Sequence, residues 1–199
     1  MTADSDTQLL AALGPRSLVL IGMMGAGKSS IGRKLAQRLN LPFVDADTEI
    51  ERAAGMSISE IFAKHGELYF RAGEARVIAR LLEGGPQVLA TGGGAFMHPQ
   101  SREAIRAKGI SIWLKADYDV LMKRIKRRND RPMLKTDDPG ETLRHLMLER
   151  DPVYAEADVI VHSRDVPHEK IVDECLEALH AWLCGDGARQ TSSIMSATP

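Results

Sequence analysis

The chain has 199 residues, of which 44% are hydrophobic and 27% are charged, and its formal net charge is −1. These values are typical of a globular protein with a sizeable core, and they exclude a fibrous repeat or a chain that is disordered throughout. The balanced charge gives the chain no electrostatic reason to bind nucleic acid or a membrane surface, and no apolar run approaches the roughly 18 residues that span a bilayer.

Apolar runs alternate with helical periodicity along the chain. Residues 1–15 and 186–199 are rich in small and polar residues, so we expect flexible tails around a single domain at 16–185. Five strands are predicted, each followed by a helical segment: 17–21, 42–45, 87–91, 110–114 and 158–162. The strands are mostly apolar, which indicates that helices cover both faces of the sheet. The order predicts a doubly wound α/β fold with a parallel sheet of about five strands.

Several local signals add detail to this reading. Ser57 and Glu60 have the spacing of a capping box, which predicts a helix that begins near Ile58. Cys175 and Cys184 lie nine residues apart on one predicted helix, a rise of about 13 Å. Because a disulfide requires Cα atoms within about 7 Å, we expect two free thiols. The N-terminal stretch has no basic segment of the signal-peptide kind, so the expected compartment is the cytoplasm.

The segment GMMGAGKSS, residues 22–30, follows the first predicted strand and precedes a helix. It fits the pattern G-x-x-x-x-G-K-[ST] at Gly22, Gly27, Lys28 and Ser29. In such a loop backbone N–H groups surround phosphate oxygens, the lysine neutralises the β- and γ-phosphates, and the hydroxyl ligates Mg²⁺. The strand–loop–helix context favours a nucleotide site over a structural glycine turn.

Two absences narrow the class of nucleotide-binding protein. The sequence has no Asn-Lys-x-Asp motif of the kind that reads guanine, and its third strand ends in glycines rather than in Asp-Glu. The strand that does end in acidic residues is the second, in PFVDAD. This combination favours a small-substrate kinase.

The expected acceptor side lies where strands end, because ligands of open α/β sheets bind beyond the carboxyl ends of the strands. Asp45 and Asp47 follow the second strand, and phosphoryl transfer uses carboxylates to hold the metal's water and to orient the attacking hydroxyl. A turn or a helix cap is the alternative reading of this pair. The run TGGG, 91–94, leaves backbone N–H groups open to a bound ring or carboxylate, with a flexible turn as its alternative.

Basic residues complete the predicted site. Arg71 has Glu74 three positions on, where a helix brings the two side chains together. With Arg150 it would form a bidentate receptor for a carboxylate, although each arginine alone is more typical of a surface. The polar segment 127–140 is predicted to be a lid that excludes water and supplies Arg131 to the transition state.

Taken together, these motifs resemble the shikimate kinase family. The chain carries GMMGAGKSS, DAD at 45–47, FRAGE at 70–74, TGGGA at 91–95, RPML at 131–134 and ERDPVYAEAD at 149–158, in the family's order. The resemblance implies a P-loop NTPase-like sheet of order 2-3-1-4-5. It also implies transfer of the γ-phosphoryl group of MgATP to the 3-hydroxyl of shikimate, with one Mg²⁺ ion. No coiled-coil seam is visible, so we expect a monomer with shikimate and ATP as its partners.

The resemblance also implies roles for individual residues. Asp47 would hold the ring hydroxyls and accept the proton, while Asp45 would hold Mg²⁺ through a water, beside Ser29 as its direct ligand. The carboxylate of shikimate would contact Arg71, Arg150 and the backbone of Gly93 and Gly94. The residues expected to contact ATP are Gly25, Ala26, Gly27, Lys28, Ser29, Ser30, Arg124, Arg131 and Pro167. Among these, Arg124 and Pro167 would enclose the adenine, and Lys28 and Arg131 would act with Asp47 in catalysis.

Two other functions remain open on the sequence alone. A gluconate-type sugar-acid kinase would also use a phosphate loop, a lid and arginines that bind a carboxylate. A non-catalytic ATP-binding module would keep the loop, but it would be expected to have lost Lys28, Asp47 or Arg131.

Overall fold

The computed structural model describes residues 3–126 and 138–184. The sheet consists of five parallel strands, in the order β2-β3-β1-β4-β5. The strands are β1 (Ser17–Ile21), β2 (Phe43–Asp45), β3 (Val88–Ala90), β4 (Gly109–Lys115) and β5 (Val159–His162). This confirms the predicted sheet and its order, and each strand lies within one residue of its expected bounds.

Helices cover the sheet. They are α1 (Ala3–Leu13), α2 (Lys28–Leu39), α3 (Ala46–Ala54), α4 (Ile58–Leu82), α5 (Pro99–Lys108), α6 (Tyr118–Ile125), α7 (Pro139–Tyr154) and α8 (His168–Cys184), with a 3₁₀ turn at Ala95–Met97. Because helices lie on its faces, β1 and β3 are buried at every residue, as the apolar strand pattern predicts. No helix within 3–126 and 138–184 has both the length and the apolar character needed to cross a membrane.

The order of the strands places the predicted site at one edge of the sheet. The phosphate loop follows β1, the acidic pair lies at the end of β2 and the glycine run follows β3. These three strands are neighbours and run in the same direction. Their carboxyl ends therefore bring the three motifs together, as is usual for ligand sites in open α/β sheets.

Helix α4 begins as the sequence predicts. Ser57 caps it, and the reciprocal contact is a hydrogen bond from the Ser57 backbone N–H to Glu60 Oε2 at 2.8 Å. The helix is interrupted at Gly66, whose φ of 79° and ψ of 173° are not helical. Its second half then carries Arg71 and Glu74 toward the ends of the strands.

The N-terminal residues differ from the prediction of a flexible tail over 1–15. Residues 3–13 form α1, which packs against α8, and Leu9 and Leu13 are buried in the main core. Asp6 also accepts a hydrogen bond of 2.7 Å from Arg38 of α2. The prediction was wrong because the leucines, four positions apart and so on one face of a helix, lie among small and polar residues that resemble a linker.

Two other predictions lie outside the described residues. These are the C-terminal tail at 186–199 and most of the lid at 127–140, including Arg131. Both cysteines are free thiols, as expected: Cys175 is buried in α8 and Cys184 is exposed at its end.

Candidate active site

The phosphate loop has the backbone geometry that its glycines allow. Gly22 has a φ of 130°, and a Cβ at this position would lie only 2.7 Å from the carbonyl oxygen of Leu114. A residue with a side chain would therefore clash with β4. Helix α2 begins at Lys28, directly after the loop, so the N-terminal N–H groups of the helix lie at the site and favour an anion.

The ammonium group of Lys28 is held against the loop itself. Its Nζ donates hydrogen bonds to the carbonyl oxygens of Gly22 at 2.7 Å and Met23 at 3.0 Å, and the residue is only 8% exposed. The loop thus presents a positive charge on its concave side, as the sequence pattern predicts.

The carboxylate of Asp45 connects the phosphate loop to the acceptor side. Ser29 Oγ donates a hydrogen bond to Asp45 Oδ2 at 2.7 Å, and the backbone N–H of Asp47 donates to Asp45 Oδ1 at 3.1 Å. Asp45 is therefore the N-cap of α3, so the helix-cap interpretation is correct for this residue. Ser29 Oγ and Asp45 Oδ2 thus form a pair of adjacent oxygen atoms beside the phosphate loop.

Two cavities lie side by side at the ends of the strands. The larger, of about 390 Å³, is lined by Gly25, Gly27, Lys28, Ser29, Ser30, Asp45, Asp47, Thr91, Gly92, Gly93, Arg124, Ile125, Asp165, Val166 and His168. The smaller, of about 100 Å³, is lined by Met24, Asp47, Ile58, Phe62, Phe70, Arg71, Glu74, Gly92, Gly93, Gly94 and Arg150. Asp47, Gly92 and Gly93 line both cavities. Asp47 therefore lies at their junction.

The smaller cavity contains both predicted arginines. Arg71 Nη1 donates to Glu74 Oε2 at 2.7 Å, which confirms the expected helix pair. A Cβ on Gly94 would lie 2.5 Å from Arg71 Cζ and Nη2 and 2.6 Å from Nη1. The guanidinium of Arg71 therefore lies flat against the glycine run. Arg150 is 4% exposed and its Nη1 donates to the carbonyl oxygen of Gly93 at 3.2 Å.

Two buried polar atoms beside the smaller cavity have no hydrogen-bond partner in the described part of the chain. These atoms are Arg150 Nε and Glu74 Oε1. A buried polar group without a partner costs free energy.

Glu74 is a buried carboxyl group next to a second acid. A Cβ on Gly92 would lie 2.7 Å from Glu74 Oε1 and 2.9 Å from Asp47 Oδ1. Burial is the largest influence and raises the pKa of Glu74; Arg71 opposes this shift, and the charge of Asp47 adds to it. The sequence reading used Glu74 only as a partner of Arg71, so its proximity to Asp47 is an addition from the structure.

Arg124 forms part of the wall of the larger cavity. Its Nη1 donates to Ser163 Oγ at 2.9 Å and to the carbonyl oxygens of Gly25 and Ala26, and its Nη2 donates to the carbonyl oxygen of Arg164 at 2.6 Å. The edges of the guanidinium are therefore held by the phosphate loop and by the loop after β5. Its flat face is fixed in orientation at the wall of the cavity.

Two of the residues expected to contact ATP do not line this cavity among the described residues. Pro167 is absent from its wall, whereas its neighbours Asp165, Val166 and His168 are present. Ala26 is fully buried, and its backbone N–H donates to the carbonyl oxygen of Met23 at 3.1 Å. Within 3–126 and 138–184, no group of three or more His, Cys, Asp or Glu side chains could hold a metal ion.

The sequence reading missed the apolar wall of the smaller cavity. Met24 of the phosphate loop and Ile58, Phe62 and Phe70 of α4 form it. In the sequence, these apolar residues look the same as core residues. It also missed Tyr154, which is buried and donates a hydrogen bond to the carbonyl oxygen of Gly93. Its position at the end of the ERDPVY segment was the available signal.

Comparison with known proteins agrees with this geometry. The family model described as shikimate kinase matches residues 24–180. A curated shikimate kinase of Bradyrhizobium diazoefficiens is 64% identical over 188 residues, which are 94% of this chain and 91% of the relative. One of Rhodopseudomonas palustris is also 64% identical, over 92% of this chain and 90% of the relative.

A solved structure is also similar. The shikimate kinase of Acinetobacter baumannii in complex with shikimate is 36% identical, with a TM-score of 0.80, over 84% of this chain and 94% of that one. The family model covers most of the sheet and both cavities, and the relatives extend over nearly the whole chain. On this basis, the chain belongs to the shikimate kinase family.

Proposed function

We propose that the chain transfers the γ-phosphoryl group of MgATP to the 3-hydroxyl of shikimate, which gives shikimate 3-phosphate and ADP. The observation that carries this proposal is the meeting of two cavities at Asp47, one lined by the phosphate loop and the other by Arg71 and Arg150. Such an arrangement suits in-line transfer between two bound substrates, because catalysis of this reaction depends mainly on positioning and on charge stabilisation.

ATP would occupy the larger cavity. The backbone of the loop and the N-terminus of α2 would bind the phosphates, and Lys28 would exchange its contacts with loop carbonyls for phosphate oxygens. The fixed face of Arg124 would stack on the adenine, with Val166 in place of the expected Pro167 as a neighbouring wall. The proposal for Pro167 itself rests on the family resemblance alone.

The residues around Ser29 suit a magnesium ion. Mg²⁺ prefers oxygen ligands and keeps several waters when it binds with substrate phosphates. Ser29 Oγ and Asp45 Oδ2, 2.7 Å apart, supply oxygen donors of this kind beside the phosphate loop. When bound, Mg²⁺ would neutralise charge on the β- and γ-phosphates.

Shikimate would occupy the smaller cavity. Its carboxylate would pair with Arg71 and Arg150, with the backbone of Gly93 and Gly94 nearby, and the apolar wall would contact the ring. Asp47 would orient the 3-hydroxyl toward the γ-phosphate and accept its proton. Support for this acceptor comes from the relative whose solved structure is a complex with shikimate.

Other parts of the proposal rest on the sequence. Arg131 would supply a cation from the lid, outside the described residues. A monomer and a cytoplasmic location stay predictions.

The experiment that tests the function is a measurement of ADP release from MgATP, with and without added shikimate. Strong dependence on shikimate, with little response to gluconate, is the expected result. Release only with gluconate would assign a different acceptor, and tight ATP binding without release would favour a binding module. A Lys28→Ala variant purified in parallel controls for contaminating ATPases, because it should release almost no ADP.

A further inference from the structure

We propose that Tyr154 is a positioning residue for the acceptor site, because its hydroxyl fixes the direction of the peptide bond between Gly93 and Gly94. This inference rests on the proposed function, since its effect is measured on the binding of shikimate.

The Tyr154 hydroxyl faces the glycine run, and its nearest acceptor is a backbone oxygen, with Met23 Sδ a second and more distant acceptor at 3.9 Å. Tyr154 is fully buried at the end of α7, and its hydroxyl donates a hydrogen bond to the carbonyl oxygen of Gly93. Arg150, one helical turn earlier, donates to the same oxygen at 3.2 Å. The ring of Tyr154 is held by Trp113, with 5.8 Å between the ring centroids. One helix therefore aims two donors at one carbonyl of the glycine run.

The glycine run needs such an external constraint. A peptide bond between two glycines has no Cβ on either side to resist rotation, so its plane can flip at low cost. Because the peptide is planar and trans, the carbonyl oxygen and the following N–H point in opposite directions. With the Gly93 oxygen held toward α7, the N–H of Gly94 points away from α7.

The direction of this peptide decides which polar group the glycine run presents. Gly93 and Gly94 both line the smaller cavity, where Arg71 lies against Gly94. An N–H directed there would suit a carboxylate or hydroxyl of the acceptor, whereas a flipped carbonyl would repel it. Burial raises the pKa of Tyr154 to about 12, so the hydroxyl keeps its proton and stays a donor at any ordinary assay pH.

The test is the Tyr154→Phe variant, which removes one oxygen atom and keeps the ring. We expect the KM for shikimate to rise about five- to tenfold, a size consistent with the loss of one buried hydrogen bond. The KM for MgATP should change by less than about twofold, because the nucleotide groups keep their contacts. Equal KM values in the variant and the wild type would overturn the inference, as would a parallel rise in both.

The matched control is Tyr69→Phe, which makes the same chemical change on α4. Tyr69 is 55% exposed and lines neither of the two site cavities, so both KM values should match the wild type. Direct titration of each protein with shikimate separates the two hypotheses. A wild type that does not bind shikimate would contradict the proposed function, whereas equal binding by wild type and Tyr154→Phe would contradict the role of Tyr154 alone.

A second measurement uses the wild-type protein and so does not depend on the folding of Tyr154→Phe. The chain has three tyrosines, and ¹³C labelling of the ζ-carbon gives each an NMR signal. Spectra of Tyr69→Phe and Tyr118→Phe leave the Tyr154 signal assigned by elimination. Addition of shikimate should shift that signal more than the other two, and an unmoved Tyr154 signal under saturating shikimate would refute the proposal.

Discussion

Asp47 has two neighbours that shape its chemistry. Its backbone N–H is held by Asp45, and its side chain lies beside the buried carboxyl of Glu74, against Gly92. The hydrogen bond to Asp45 fixes the start of α3. The proximity of Glu74 places two acidic side chains in the wall of the smaller cavity. A carboxylate at this position therefore faces both cavities.

We expect Asp47→Asn to reduce shikimate-dependent turnover by at least about a hundredfold, because the variant cannot accept the proton of the acceptor hydroxyl. The affinity for MgATP should stay within about twofold, since the phosphate loop keeps its contacts. Steady-state kinetics and nucleotide titration measure the two quantities. Asp173→Asn, on α8 and away from the site, is the control, and near-normal turnover of Asp47→Asn would remove Asp47 from its proposed role.

Glu74 gives a prediction about stability and pH. Its pKa in the folded state is raised above the ordinary value of 4.5, so the folded protein holds this proton more tightly than the unfolded chain does. The stabilising contribution is therefore fully present below pH 4.5 and is lost as the pH rises through the folded-state pKa. Glu74→Gln remains uncharged, so its free energy of unfolding should improve relative to the wild type as the pH increases.

Urea unfolding of both proteins over a pH series measures this difference. Glu67→Gln is the matched control, because Glu67 also contacts Arg71 but its side chain is 54% exposed. It controls for the loss of a charged partner of that arginine. The prediction would be contradicted if the free energy of unfolding of Glu74→Gln, relative to that of the wild type, fell as the pH increased.

At the scale of elements, α2 packs unusually close to the sheet. A Cβ on Gly32 would lie 2.7 Å from Phe43 Cε2 and 2.9 Å from Leu20 Cδ1. The absent side chain lets the helix approach β1 and β2, and this close packing sets the position of the phosphate loop at its N-terminus.

Gly32→Ala should therefore lower the free energy of unfolding by about 1–3 kcal/mol through overpacking. The matched control is Gly73→Ala in α4, where the nearest atom to a new Cβ is 4.0 Å away. That change should stabilise the protein by up to about 1 kcal/mol, because alanine is the better helix former. Chemical denaturation of both variants checks the pair, and equal effects would show that the close packing at Gly32 has no energetic consequence.

The sequence patterns predicted the secondary-structure elements well, but they did not predict most side-chain contacts within the site. Strand positions followed from apolar runs, and the start of α4 followed from Ser57 and Glu60. The apolar wall around Phe62 and Phe70 could not be predicted, because periodicity does not distinguish a residue that faces the core from one that faces a cavity. The edge contacts of Arg124 depend on loops that are distant in sequence, so no local pattern reports them.

At the scale of the whole molecule, α1 extends the core beyond the sheet. Leu9 and Leu13 are buried in the main cluster, and α1 packs against α8. Leu10 and Ala12 of α1 pack against the same cluster while partly exposed. The contribution of α1 to stability depends on its packing against the rest of the protein rather than on the apolar periodicity of its own sequence.

Leu9→Ala should lower the free energy of unfolding by about 2–4 kcal/mol, because it removes a fully buried side chain and leaves a cavity. Leu148→Ala is the matched control, since Leu148 is 76% exposed, and it should change stability by less than about 0.5 kcal/mol. Both variants should keep wild-type kinetic constants below their unfolding transitions. An unchanged stability of Leu9→Ala would mean that α1 is not docked in solution.

The residues shared by the two cavities, Asp47, Gly92 and Gly93, also restrict the linker chemistry of bisubstrate inhibitors. Under the proposed function, a compound that joins a nucleotide analogue to a ring acid would pass between Asp47 and the backbone of Gly92 and Gly93, which line both cavities. Its linker meets a carboxylate at that point. A hydroxyl or amine in the linker would donate a hydrogen bond to Asp47, whereas a carboxylate in the same place would be repelled.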